Sequence, residues 1–224
     1  MLENLKDVLE ELNSGNDLGE KITLVGASKT MPVEVINQAI DLGLKIVAEN
    51  KVQEFREKHQ LIDERACQHF IGHLQTNKVK YLVGKVELIH SVDSEHLAAE
   101  IDKVAKNRGV VQKILLEVNI GGELSKSGFN PENAEKSALK IASEYKNVLV
   151  VGLMAMLPHS DDQDLLKELC KKMRGLYDLL KEKGLPFEHL SMGMSNDYKL
   201  AVKNGSNMVR LGRTIFGERN YGGK

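Results

Sequence analysis

Eight short apolar runs, each followed by a helical pattern, constrain this chain more than any other feature of its sequence. The runs are residues 22–28, 44–48, 69–72, 86–91, 111–118, 148–154, 190–192 and 208–211. They read as apolar runs rather than as a regular alternation of apolar and polar residues. A strand that reads this way is buried on both faces, which points to a parallel sheet covered by helices. Between the runs lie helices over 52–62, 77–82, 197–203 and 162–183, the last with Leu165, Leu169, Met173, Leu176 and Leu180 inward. Another has Pro32 in its first turn and Gly43 just past its end, as proline and glycine prefer. Asp93 is placed to cap a helix with Leu97, Ile101, Val104 and Ala105 on one face, and Asn130-Pro131 opens one that runs to Ala142. An extra amphipathic helix over 2–12 precedes the first run, with Leu2, Leu5, Leu9 and Leu12 together. Eight βα units in 224 residues close most economically as a single α/β domain, a (β/α)8 TIM barrel. A doubly wound open sheet satisfies the same periodicity.

Composition narrows the partners. Lys and Arg number 31 against 32 Asp and Glu, so no broad cationic field exists to bind nucleic acid. The first residues are acidic and amphipathic, unlike a secretory leader, and no apolar run approaches the ~20 residues of a membrane span. Cys67 and Cys170 are too few for a disulfide scaffold and read as small buried hydrophobes in a reducing compartment. The expectation is a cytoplasmic monomer that engages neither nucleic acid nor membrane.

A barrel of this kind places its site at the C-terminal ends of the strands. Those positions hold Lys29, Glu49-Asn50, His73, Ser91 with Asp93, Asn119, Met154, Ser191 to Asn196, and Arg210 to Thr214. Barrel walls around Lys29 would disfavour its ammonium and free the amine to attack a carbonyl; a strand-end lysine reaching solvent fits the spacing as well. Gly193 and Gly212 allow close backbone approach after the last two strands. Ser195 and Thr214 add hydroxyls there, and a helix start at Asn196 adds N–H groups, together suiting a phosphate. His69 and His73 have zinc-like spacing, but on a strand and without a matching third ligand, so no metal is expected. Gly121-Gly122-Glu123 lacks a dinucleotide fingerprint, and the Lys78/Lys80/Lys85 group reads as a solvated face. Met154, Met156, Met192 and Met194 read as core or pocket wall.

Several segments match one known family. They are Ala27-Ser28-Lys29-Thr30, Glu49-Asn50 with Val52-Gln53-Glu54, and the run from His69-Phe70-Ile71-Gly72-His73 to Lys78. Further along stand His90-Ser91-Val92-Asp93-Ser94, Gly152-Leu153-Met154, Leu190 to Ser195, and Val209-Arg210 through Phe216-Gly217. In order, over residues 22–219, the chain resembles the pyridoxal 5'-phosphate (PLP) homeostasis proteins, whose barrel is similar to the alanine racemase N-terminal domain. The resemblance implies that PLP is bound, with Lys29 forming the internal aldimine and Arg210 facing the pyridine nitrogen. It also implies a phosphate held by Ser195, Gly212, Arg213 and Thr214, with Asn50 and Met192 near the ring or lysine. PLP-dependent apoenzymes are the implied recipients. Ala48 and Lys51 stand where the family usually has glycine and tyrosine, and Gln68 where it often has tryptophan, which bears on the outer pocket wall.

The residues themselves argue for a carrier of vitamin B6 rather than a catalyst. Arginine only donates, so a ring nitrogen facing Arg210 stays unprotonated and is a poor electron sink. Racemisation also needs a base on each face of the α-carbon, and Lys29 is one. In alanine racemase the other is a tyrosine from a second domain. Fourteen residues follow Arg210, and Tyr221 lies among glycines in that tail. The alternatives are a PLP-dependent racemase-like enzyme and a phosphosugar enzyme that uses Lys29 as an aldolase does.

Overall fold

The computed structural model describes residues 2–123 and 126–217. Eight parallel strands form a closed barrel in sequence order. They are β1 (Thr23–Ala27), β2 (Ile46–Glu49), β3 (Cys67–Phe70), β4 (Leu88–Val92), β5 (Gln112–Glu117), β6 (Val148–Met154), β7 (His189–Ser191) and β8 (Met208–Leu211). β8 pairs in parallel with β1, setting Val25 beside Arg210 and Gly26 beside Leu211. That pairing excludes the open sheet.

Around the barrel run α1 (Leu5–Asn13), α2 (Val33–Asp41), α3 (Val52–Lys58), α4 (Glu95–Arg108), α5 (Pro131–Glu144), α6 (Gln163–Glu182), α7 (Tyr198–Lys203) and α8 (Arg213–Phe216). A 3₁₀ helix, Thr76–Tyr81, takes the place of a helix after β3. The helix after β8 is only four residues long, too short to cover the outer face where β8 meets β1. α1 covers it instead. Its Leu5, Val8 and Leu12 pack in one apolar cluster with Leu24, Ile36, Val209, Ile215 and Phe216. The interior of the barrel is a separate cluster of Val25, Ala48, Leu88, Leu115, Val151, Met154 and Met208.

Several local expectations change. Ser94, not Asp93, caps α4, because its side chain accepts from the Leu97 amide. Pro32 lies just outside α2, as its N-cap. Asn130 does cap α5 with Pro131 in its first turn, but the helix extends to Glu144. On α6 the inward stripe is Leu166, Leu169, Cys170, Met173, Tyr177 and Leu180; Leu165 is exposed and Leu176 only partly buried. α3 stops at Lys58, short of 62. Cys67 is exposed at the first residue of β3, so only Cys170 is the buried hydrophobe. Met154 and Met192 are buried, whereas Met156 and Met194 reach the surface. Among the described residues no helix is long and apolar enough to cross a membrane, and no group of three or more His, Cys, Asp or Glu is placed to hold a metal.

Burial, then Asp197, pushes the Cys170 thiol up to about 12, far from the thiolate that alkylating reagents require. Native protein treated with iodoacetamide at pH 8 is expected to take one label, on Cys67, and a second only in denaturant. Labelling of Cys170 at the rate of Cys67 would show that α6 does not bury it.

Candidate active site

Side chains alternate in and out along each strand, so every second residue points to the barrel axis. On β1 the inward row begins with Val25 and continues through Ala27 to Lys29. On β2 it runs through Ala48 to Asn50, and on β8 from Met208 through Arg210 to Gly212. These rows end at a cleft of about 1090 Å³ lined by Ala27, Lys29, Asn50, Ser195, Arg210, Gly212 and Arg213, among others. Its outer wall after β6 is Met156, one of the methionines read as core or pocket wall, with Leu157 to Asp161, which the sequence did not single out. A smaller hollow, about 580 Å³, lies between α1 and α2, away from the strand C-termini, and its polar side chains are exposed.

The two glycine turns after β7 and β8 face one another. Gly193 has φ +95°, and a Cβ there would lie 2.8 Å from Tyr198 Cα and 2.9 Å from Ala201 Cβ. Only glycine fits that conformation and that space. The Arg210 amide donates to the Gly193 carbonyl (3.0 Å). The Thr214 amide donates to Ser195 Oγ (3.3 Å), and Arg213 Nη2 donates to Asn196 Oδ1 (2.9 Å). The helix terminus at this place differs from the expected one. Asp197 folds back to accept from the Met194 amide (2.6 Å), α7 starts at Tyr198, and the N-terminus beside Ser195 is that of α8.

Arg210 is buried, and its guanidinium is built into the wall. Nη1 donates to the Ser191 carbonyl (2.9 Å) and Ser191 Oγ (2.6 Å), and Nη2 donates to the Ala155 carbonyl (3.0 Å). Burial lowers it to about 10, against Glu117 and Asp197, so it stays cationic at neutral pH. Below it runs a buried polar chain, with Ser191 Oγ 3.4 Å from His90 Nδ1 and His90 Nε2 3.0 Å from His69 Nδ1. Burial lowers both imidazoles, and each is further lowered by neighbouring positive charge. Glu117 is buried too. Burial, then Asp93, raises its carboxyl, with Arg210 and His73 opposing. It is not among the residues lining the cleft.

Lys29 is half-buried at the cleft. The residue after it, Thr30, has φ +66°, a conformation that costs a β-branched residue about 1–3 kcal/mol. Its amide donates to Glu54 Oε2 (2.7 Å), while the Ser28 hydroxyl on the other side donates to Glu49 Oε1 (3.1 Å). Lys58 Nζ reaches both carboxylates at 2.9 Å. Burial lowers the Lys58 ammonium, but hydrogen bonds to Glu54 and Glu49 outweigh it and hold it above its ordinary value.

Six of the eight residues singled out from the sequence, Lys29, Asn50, Ser195, Arg210, Gly212 and Arg213, line the cleft together. Thr214 joins them through its amide. Met192 does not: its side chain is fully buried in the large apolar cluster between strands and helices. Of the three unusual positions, Ala48 is inside the barrel, whereas Lys51 is exposed at the start of α3 and Gln68 donates to the His59 carbonyl (2.9 Å). Lys51 and Gln68 are absent from the cleft lining. Asn50 Oδ1 is buried with no hydrogen-bond partner among the described residues. Such an acceptor is costly unless a ligand donates to it. Tyr221 lies outside the described residues.

The family described as alanine racemase, N-terminal domain, matches residues 26–220. A pyridoxal phosphate homeostasis protein of Aquifex aeolicus is 44% identical over 223 residues, covering 99% of this chain and 96% of that protein. PipY of Synechococcus elongatus, solved with PLP bound, superposes with a TM-score of 0.85 at 28% identity, covering 96% of this chain and 100% of that one. An alanine racemase of Clostridium difficile shares the fold, with a TM-score of 0.81 at 17% identity, over 99% of this chain and 58% of the racemase.

The buried imidazoles make stability depend on pH. In the unfolded chain they take up protons below about 6.5, whereas in the folded chain burial keeps them neutral. The unfolded state therefore binds more protons, and their contribution, complete above that pH, is lost as pH falls. Between pH 7.5 and 5.5 the loss measured by urea unfolding should be smaller in His69→Gln by about 1 kcal/mol. Equal losses would mean that His69 is not held neutral.

Proposed function

Because the chain belongs to the pyridoxal phosphate homeostasis protein family, we propose that it holds PLP at the barrel mouth and keeps it available without turning over a substrate. When bound, PLP brings an aldehyde that condenses with a primary amine, a pyridine nitrogen that accepts a hydrogen bond, and a phosphate monoester. The observation that carries the reading is that one cleft joins Lys29, Arg210 and the paired glycine turns.

Each residue has a separate task. Lys29 supplies the amine. Ser195, with the backbone of Gly212, Arg213 and Thr214 at the start of α8, surrounds the phosphate with donors. Arg210 lies across the cleft wall with its position fixed by three hydrogen bonds, and it can only donate to a ring nitrogen. A nitrogen kept unprotonated in this way makes carbanion chemistry unfavourable. Asn50 offers its unpartnered oxygen to a donor beside Lys29. Met192 supports the turn from the apolar core behind it.

Glu117, a buried carboxyl near the mouth, is set apart from the cleft lining and is electrostatically coupled to Arg210 and Asp93. It is therefore not placed as a second base. We extend the proposal to a cytoplasmic monomer with PLP-dependent apoenzymes as recipients, with which the near-neutral charge and single barrel are compatible.

Purified protein mixed with PLP should turn yellow, and borohydride should fix the ligand on Lys29, as read by peptide mapping. Lys29→Ala should lose the reducible link yet retain PLP through the phosphate contacts, with affinity weaker by roughly ten- to a hundredfold. Undiminished affinity in Lys29→Ala would contradict a covalent contribution from that amine.

A further inference from the structure

Lys29 is flanked on both sides by residues whose backbone or hydroxyl is tied to a carboxylate. Ser28 Oγ donates to Glu49 Oε1 at 3.1 Å and to the Ala48 carbonyl at 3.1 Å. The Thr30 amide donates to Glu54 Oε2 at 2.7 Å. The same two carboxylate oxygens receive Lys58 Nζ, each at 2.9 Å. One ammonium from the end of α3 thus joins the two restraints on either side of Lys29. The arrangement is sheltered, with side-chain exposures of 14% for Lys58, 3% for Glu49 and 18% for Glu54, so water does not readily replace its bonds.

Thr30 gives the restraint something to hold. Its φ of +66° is a left-handed conformation that a β-branched residue avoids unless its surroundings impose it. The chain leaves Lys29 in a direction that local preference opposes. The Glu54 bond to the Thr30 amide is the side-chain contact that fixes this turn from α3. Ser28, Thr30, Glu49, Glu54 and Lys58 are all absent from the cleft lining, so they act on a ligand through the cleft residues beside them, Lys29 and, for Glu49, also Asn50.

We infer that Lys58, through Glu49 and Glu54, is a positioning residue that aims the Lys29 amine at the ligand's aldehyde. The inference rests on the proposed role of Lys29 as the attachment point. Correct aim matters because displacement of a reacting group by about an ångström can slow condensation by about a hundredfold.

The test separates attachment from general binding. The rate of adduct formation with PLP is followed by absorbance and borohydride trapping. Affinity for pyridoxine 5'-phosphate, which has an alcohol in place of the aldehyde, reports the remaining contacts. Lys58→Met and Glu54→Leu should slow adduct formation by about tenfold to a hundredfold, while their affinity for the alcohol analogue stays close to that of the wild type. Glu54→Gln keeps an oxygen for the Thr30 amide and should retain most of the rate, a rescue that loss of folding would not produce. Variants that form the adduct at the wild-type rate would overturn the positioning role. So would parallel loss of affinity for the analogue, or a Glu54→Gln as slow as Glu54→Leu. A wild-type protein that traps PLP elsewhere than on Lys29 would instead remove the reading on which the role rests, and the role with it.

Discussion

The pairing of β8 with β1 is the contact on which the site depends. Were this sheet opened at that seam with its strand order kept, β1 and β8 would be the two outer edges, and Lys29 would be far from Arg210 and Gly212. Closure satisfies the backbone groups of both edges and brings the first and last strands into register. Val25 then lies beside Arg210. A Cβ on Gly212 would meet the Ala27 carbonyl at 3.3 Å, which shows how closely the two strand ends approach. α1 belongs to this same construction. It seals the apolar outer face that a four-residue α8 leaves open, so the extra N-terminal helix supports the seam that assembles the site.

Placing an arginine inside a barrel creates a large electrostatic demand. Removing such an ion from water costs several kcal/mol unless good hydrogen bonds replace the lost hydration. Here the Ser191 carbonyl and hydroxyl and the Ala155 carbonyl do so, and the nearby Glu117 supplies opposing charge. The histidines below are held neutral, so they add polarity without competing cationic charge. The result is a wall with a fixed cationic donor, facing two turns whose backbone N–H groups favour an anion. An aldehyde phosphate with an acceptor nitrogen matches that division of labour.

Much of this was legible in the sequence because barrels put chemistry at strand ends. Counting eight apolar runs located Lys29, Asn50, Arg210 and both glycine turns. The precise ends of strands were harder to read, as with β2, which begins two residues after its apolar run does, and β3, which begins two residues before, because pairing register rather than hydrophobicity sets where a ladder begins. Leu165 and Leu166 are adjacent leucines, and only the packed helix decides which one turns inward. The four residues of α8 are too few to show a helical period. The clamp around Lys29 was not legible, since Glu54 and Lys58 carry the i,i+4 pattern of an ordinary solvated ion pair and their contacts with Thr30 and Glu49 are tertiary. The buried polar chain did leave a signal. His69, His90 and Ser191 are polar residues at buried strand positions, and such residues require partners.

The central claim is that one small molecule spans the gap between the Lys29 amine and the two glycine turns. An electron-density map from crystals grown with PLP tests it most directly. The predicted result is ligand density continuous with Lys29 Nζ, ring edge at Arg210, and phosphate over Ser195 and the Gly212–Thr214 backbone. Phosphate density at any other place, with the glycine turns holding only water, would contradict the account.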